Sequence, residues 1–401
     1  ATGERALALA SKLGRTGTQV DITVLLGGAS FQRGRAADGL SLLQPLEPWV
    51  REHGAPAQQA SFFEVLALSL VGTGSLTPAL GHYEVALQLA REAGEQAQVA
   101  ELIGHLALAH SRLGRAEQAV TLVRQAIAIV AAEEGTDDTT HVAQKQARLA
   151  AYLRDTGHYG EAIALHERLI ERFRAEGLAM WATACELGLA QAFIDLGQVA
   201  RAQRLLNELA RQPAGAMGLR LQWLRSELAW QVGRGASEAA LRVLDPALAA
   251  EDQWLSVSAL VAPRALEPRP ALALLQQAID DPSNRECRGA RSELHARASE
   301  AARLASDHAE AARHARLALS LSDGHQGSRL SSTEIAWQAH QSLLAAGEHD
   351  AADAALGAGI DLLRVTLTHV PQPFRPSFLE QNAVNRSLLT AGRERGLLLG
   401  V

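Results

Sequence analysis

Apolar positions recur along this chain at helical spacing, and one unit repeats: an amphipathic stretch, a glycine, four residues, then a small residue that opens a second amphipathic stretch. Gly74 leads in this way to Ala79, Gly114 to Ala119, Gly157 to Ala162, Gly197 to Ala202 and Gly347 to Ala352. Weaker copies run from Gly34 to Gly39, from Gly235 to Ala240 and from Ser306 to Ala311. A degenerate copy runs from Leu266 to Ala271, where prolines replace the glycine. Successive anchors lie 40, 40, 43, 40, 38, 31, 40 and 41 residues apart, a register that chance does not keep. The glycine is expected to end a first helix in a left-handed conformation that a β-carbon would penalise. Five positions later the second helix crosses close to the first, where only Ala or Gly fits. The pattern therefore predicts an all-α, right-handed α-solenoid of about nine helix-turn-helix units with a period near 40.

These units resemble the tetratricopeptide repeat. With the glycine taken as the fifteenth position, the eighth is Ala67, Ala107, Ala150 and Ala190 in the four best copies, the small residue that such repeats place where two helices touch. Leu70, Leu106, Leu153, Leu189 and Phe193 fill neighbouring slots. The period exceeds the family's 34, the early Trp is mostly absent and the closing Pro is missing. Repeats lengthened in this style are similar to the superhelix near the C-terminus of large bacterial signalling ATPases and activators, of the MalT-like, LuxR-type and SARP-type kinds.

Prolines at 246, 263, 268, 270 and 282 coincide with the shortest spacing and predict shortened helices or a bend. Two readings stand: a pivot between blocks, or one irregular repeat in a continuous superhelix. The expected organisation is an N-terminal block at 1–245, an irregular unit and further pairs at 246–370, and a Pro-rich linker with a capping helix at 371–401. Ser377 is expected to cap a helix with Glu380 completing the box, and Asn382 to Leu399 to form a last helix covering the open apolar edge. The chain opens on Ala1-Thr2-Gly3-Glu4, already in helical pattern and without methionine, as a piece of a longer polypeptide would.

Composition narrows the function. Hydrophobic residues are 47% of the 401 but aromatics only 4%, a mixture suited to closely packed helices. A net charge of −6 argues against a nucleic-acid binder. No apolar run reaches the about 18 residues of a membrane span. Cys185 and Cys287 form no metal or redox motif and suit a reducing cytoplasm. There is no phosphate-cradling Gly-Lys-Ser/Thr loop, and Gly27-Gly28 falls in a first helix at the close-contact position. His105 and His110, and His308 and His314, lack the spacing of a helical zinc pair and read as packing or surface residues. An enzyme, a metal and a cofactor are therefore not expected.

The resemblance places the concave face on the second, fifth, ninth, twelfth and thirteenth positions of first helices. This gives Glu64, Glu101, Arg112, Gln144, Arg154, Asp155, Gln191 and Asp195 as candidate groove residues, with Trp223 and Trp337 where a groove could use them. Leu68, Leu108 and Leu187 lie among them as apolar patches. Such a mixture suits a protein or peptide segment, or a small polyhydroxylated inducer. The paired lysines of a chaperone-tail clamp are absent, and of the groove asparagines that peptide-pheromone receptors use only Asn207 precedes Asn284. The expectation is a sensor or scaffold module of a bacterial multidomain regulator; the alternative is a freestanding adaptor that bridges two proteins.

Overall fold

The glycine turns set the architecture. In the computed structural model, which describes residues 2–136, 139–211, 218–233, 237–245, 254–322 and 329–397, Gly34, Gly74, Gly114, Gly157, Gly197 and Gly347 hold a left-handed backbone with φ between 69° and 83°. At each, the two following amides return to the helix just ended: Gly74 N–H donates to the Val71 carbonyl at 3.1 Å and Ser75 N–H to Leu70 at 2.9 Å. These bonds satisfy carbonyls that the helix end would otherwise orphan. Ser306, at φ 61°, makes the same pair of bonds without being glycine. In the sixth unit the left-handed residue is Gly233 (φ 72°), two positions before the expected Gly235, which lies outside the described residues. The Leu266 turn departs as expected: Glu267 is extended and Pro268 opens the next helix, where its missing N–H costs nothing.

Among the described residues the chain is helical without a strand. After α1 (Thr2–Lys12) come the pairs α2 (Thr16–Gln32) with α3 (Ala36–Leu43), α5 (Pro56–Gly72) with α6 (Leu76–Ala93), and α7 (Gln96–Arg112) with α8 (Ala116–Glu134); a short α4 (Glu47–His53) precedes α5. Then follow α9 (Thr140–Asp155) with α10 (Tyr159–Ala175), α11 (Ala179–Asp195) with α12 (Val199–Leu209), and α13 (Gly218–Gln231) with α14 (Glu238–Val243). The last pairs are α15 (Trp254–Ala265) with α16 (Pro268–Asp280), α17 (Arg288–Leu304) with α18 (His308–Ser322), and α19 (Ser332–Ala345) with α20 (His349–His369). The fold is a tetratricopeptide-like solenoid, with nine such pairs among the described residues. The pair holding Pro263 and Pro268 has helices of 12 and 13 residues, against 17 in α5, α7, α11 and α17. Pro246 falls outside the described residues.

Small residues sit where the helices of a pair cross. Ala79, Ala119, Ala162, Ala202, Ala271, Ala311 and Ala352 are wholly buried, as are Ala67, Ala107, Ala150 and Ala190 on the first helices. In the first pair a β-carbon on Gly39 would lie 3.1 Å from the Gly27 carbonyl oxygen, so Gly27-Gly28 belongs to a helix crossing inside α2. In the last pair His340 takes the small residue's place, and its Nδ1 donates to the Ala352 carbonyl at 2.8 Å.

The chain packs as two units. One comprises Ala1–Lys145 with Pro282–Cys287, the other Gln146–Asp281 with Arg288–Val401. In the first, Thr77 donates through both amide and hydroxyl to Glu286 Oε2 at 2.7 Å, and a β-carbon on Gly74 would meet Ser283 Cα at 2.5 Å. In the second, the tail forms a 3-10 turn at Gln372–Phe374, then α21 (Arg375–Glu380) and α22 (Ala383–Glu394). Ser377 is not an N-cap: α21 starts two residues earlier, and the Ser377 hydroxyl donates to the Leu196 carbonyl at 2.8 Å. The capping side chain is Asn382, which accepts from Asn385 N–H at the start of α22. Val384 and Leu388 of α22 pack on Leu356 and Ile360 of α20, covering that apolar edge. The tail also returns to the turns of earlier pairs. Asn382 Nδ2 donates to the Asp195 carbonyl at 3.0 Å, Phe378 packs by Tyr159, and Arg201 lies over the Phe374 ring at 5.4 Å.

Gly197 therefore meets two demands, since a β-carbon there would strike the Ser377 carbonyl oxygen and lie 2.8 Å from Asn382 N, whereas Gly347 faces open space. Gly347→Ala is expected to cost about 1–2 kcal/mol, the left-handed penalty alone, and Gly197→Ala roughly 2–4 kcal/mol, since the tail must also shift. Urea denaturation followed by circular dichroism checks this; equal losses would show that the tail does not press on Gly197.

Candidate binding face of the second unit

The expected groove residues divide between the units. In the first, Glu64 accepts from Gln98 Nε2 at 3.2 Å and lies 3.4 Å from His105 Nδ1. Glu101 pairs with Lys145 at 2.6 Å, Arg112 donates to the Val71 carbonyl at 2.8 Å, and Gln144 is half-buried on α9. In the second, Arg154 is ion-paired with Asp155 and lies 3.7 Å from Asp195, while Gln191 accepts from Arg220 at 3.3 Å. Trp337 belongs to the apolar cluster that seats α22, stacked on His340.

The second unit carries more charge inside than these five residues indicate. Arg264 of α15 pairs with Glu227 of α13 at 2.5 Å and with Glu334 of α19 at 3.0 Å. Arg297 of α17, with no exposed surface, pairs with Glu300 and Glu334 at 2.7 Å each and lies 3.9 Å from Glu227. The Arg264 guanidinium stacks over Trp230 of α13 at 4.0 Å. Helices separated by a whole repeat can meet this way only when first helices face one common interior.

Glu227, Trp230, Arg264, Glu300 and Glu334 fall on the same repeat positions as the expected groove residues. They occupy the ninth, twelfth, thirteenth, ninth and second places once Gly233 anchors the sixth unit. Read from Gly235, the sixth unit slips by two and hides its pair. Arg297 falls on a sixth position, which the rule does not cover.

Burial opposes charge throughout this interior, and local partners decide each outcome. Burial disfavours the Arg297 cation, but the carboxylates of Glu334, Glu300 and Glu227 hold it above its ordinary range. Burial would raise Glu300, yet Arg297 and Arg264 bring it below the usual value. Asp195 goes the other way: burial, with Asp155, Glu334 and Glu227 around it, pushes its carboxyl up to about 7 against the pull of Arg154. Arg220 is pushed down to about 10 by burial and then by Arg154.

Among the described residues no group of three or more His, Cys, Asp or Glu could hold a metal ion. Cys185 and Cys287 are buried thiols, and burial pushes Cys185 up to about 12, away from the reactive thiolate. His314 is buried beside His295, and His308 is exposed. Among the described residues no helix is long and apolar enough to cross a membrane.

No protein-family model and no curated protein matches the sequence. Solved structures do. The Rap conjugation gene regulator of the plasmid pLS20, in complex with the Phr* peptide, is similar with a TM-score of 0.53 and 13% identity, over 76% of this chain and 96% of that one. The apo form of the quorum sensor NprR from B. thuringiensis is similar with a TM-score of 0.50 and 15% identity, over 76% of this chain and 88% of that one. At such identities the likeness is one of fold.

Two expectations follow. Arg297→Ala strands carboxylates in the interior and is expected to cost about 3–5 kcal/mol, measured by chemical denaturation; a loss below about 1 kcal/mol, the level of an exposed pair, would mean the cluster is solvated. Asp195, held above its unfolded value, stabilises the fold below the unfolded pKa, and that contribution is lost as pH rises through about 7. Asp195→Asn should melt higher than the parent at pH 8 and no higher at pH 4; the opposite trend in thermal melts would reverse the assignment.

Proposed function

We propose that this chain is a non-catalytic binding module of a bacterial signalling or transcription regulator, which seats a peptide or protein segment on the inner face of its second unit. The observation that carries this reading is the convergence of Glu227, Arg264, Arg297 and Glu334 from four first helices on one interior. Ion pairs between non-adjacent repeats couple the rotations of those repeats, so a ligand that redistributes the pairs shifts the whole unit at once. The likeness to a regulator solved with a peptide bound supports the same ligand class. Lengthened repeats similar to those of bacterial activators support the regulator setting, in which neighbouring domains receive the signal.

The test is selection of a random linear peptide library on the immobilised chain, followed by fluorescence anisotropy with the parent and with Asp195→Asn. Selected peptides are expected to bind with dissociation constants on the order of micromolar and to weaken about tenfold when the inner-face carboxylate is neutralised. A library that yields no binder, or binders indifferent to Asp195, would count against the reading.

A further inference from the structure

Three elements meet on the last turn of α11. A helix leaves its final carbonyls without intrahelical donors, and the Gly197 turn takes up only the earlier ones. Gly197 N–H returns to the Ile194 carbonyl at 3.0 Å and Gln198 N–H to that of Phe193 at 2.8 Å. The Ile194 carbonyl also accepts from Gln231 Nε2 of α13 at 3.2 Å. The next two carbonyls go to the tail, that of Asp195 to Asn382 Nδ2 at 3.0 Å and that of Leu196 to the Ser377 hydroxyl at 2.8 Å. Gln198 Nε2 in turn donates to Ser377 Oγ at 2.5 Å. Because the tail leaves no room for a β-carbon on Gly197, the turn cannot shift without disturbing Ser377 and Asn382.

Asp195 is the last residue of α11, with its carbonyl on the tail and its carboxyl toward Arg154. The groups bearing on that carboxyl are Arg154 at 3.7 Å and Asp155 from α9, Tyr159 from α10, Glu227 from α13 and Glu334 from α19. On α12, Arg201 lies over the Phe193 and Phe374 rings, at 5.6 and 5.4 Å, and Arg375 and Glu380 of the tail are exposed. Arg154 therefore pulls against Asp155, Glu227 and Glu334, and the C-terminus of α11 adds a negative pole of its own. Ionisation of Asp195 places like charge at the very turn on which the tail is seated. We propose that the tail is a strap latched through Asp195, seated while that carboxyl is neutral and loosened when it ionises and swings toward water. The swing carries the Asp195 and Leu196 carbonyls away from Asn382 and Ser377. The seated state holds the Asp195 proton more tightly than the loosened one. Seating is therefore full below the ordinary carboxylate range and weakens as pH rises to about 7, above which both states are ionised. The latch needs no ligand and stands apart from the binding reading above.

Hydrogen–deuterium exchange of the whole chain tests it, read by mass spectrometry on peptides covering 375–392 and corrected for the intrinsic pH dependence of exchange. Opening of the tail is expected to rise about tenfold between pH 6 and pH 8, while peptides spanning the Gly347 turn of the same unit show no such rise. Asp195→Asn, which keeps the shape and removes the charge, should hold the tail at its pH 6 level at both pH values. Thermal melts at pH 6 establish that this variant folds; Asp195→Ala, which also removes the carboxyl, should give the same pH independence if it does not. Equal exchange of the parent's tail at both pH values, or a rise that persists without the carboxyl, would overturn the latch. A rise shared by the Gly347 peptides would mean that the whole unit loosens with pH, and would overturn it as well.

Discussion

The close approach of two helix backbones within each pair is the constraint on which everything else rests. It is achieved by a small residue on each side, as at Ala150 with Ala162 and Ala190 with Ala202, all without exposed surface. Dispersion and apolar burial act fully only where no side chain props the backbones apart. Once that crossing is fixed, the rotation of each first helix about its axis is fixed too. The positions facing the interior are then settled for the pairs of a unit together, which is how residues as distant in sequence as Glu227 and Glu334 come to share one guanidinium within the second unit.

A charged interior in a protein of this composition is expensive. Ion pairs removed from water seldom repay their desolvation, and apolar residues of equal volume often give a more stable fold. Around Arg297 several carboxylates lie within 4 Å, and the Trp230 indole is stacked on the neighbouring Arg264. Around Asp195 and Arg220 the contacts are longer, 3.7 Å from Asp195 to Arg154 and 3.3 Å from Arg220 to Gln191, and burial pushes the carboxyl up and the guanidinium down. The same interior thus holds a cluster of paired charges contributed by four repeats and a sector where the charges are less evenly paired.

Most of the fold was legible in the sequence because its two governing devices are short-range. A left-handed glycine and a small residue five positions later can be read in a single window, and Ala79, Ala119, Ala162, Ala202 and Ala352 lie where that window placed them. Even Ser306, chemically unlike glycine, was found through spacing. The site was less legible because interior charges depend on counting from the correct anchor. Taking Gly235 for Gly233 displaced Arg220, Glu227 and Trp230 from the inner face in a single step. The packing of Trp337 against the tail helix could not be read locally, because that helix is placed through Asn382 and Asn385, whose partners are remote in sequence. Ser377 matched a local capping rule and was claimed instead by the Leu196 carbonyl 181 residues away.

The return of the tail to the Gly197 turn has a mechanical consequence. An open stack of repeats frays from its ends, because each terminal pair is held by one neighbour only. Here the last helices of the second unit are pinned to its early turns through Ser377, Asn382 and Phe378, so the unit has a seam where an open stack would have two free ends. A hoop of this kind does not yield one repeat at a time: tension or torsion applied to any member is shared around it, and gathers at the seam. Its polar contacts are few, its geometry leaves no room for a β-carbon at Gly197, and the earliest failure under load belongs there.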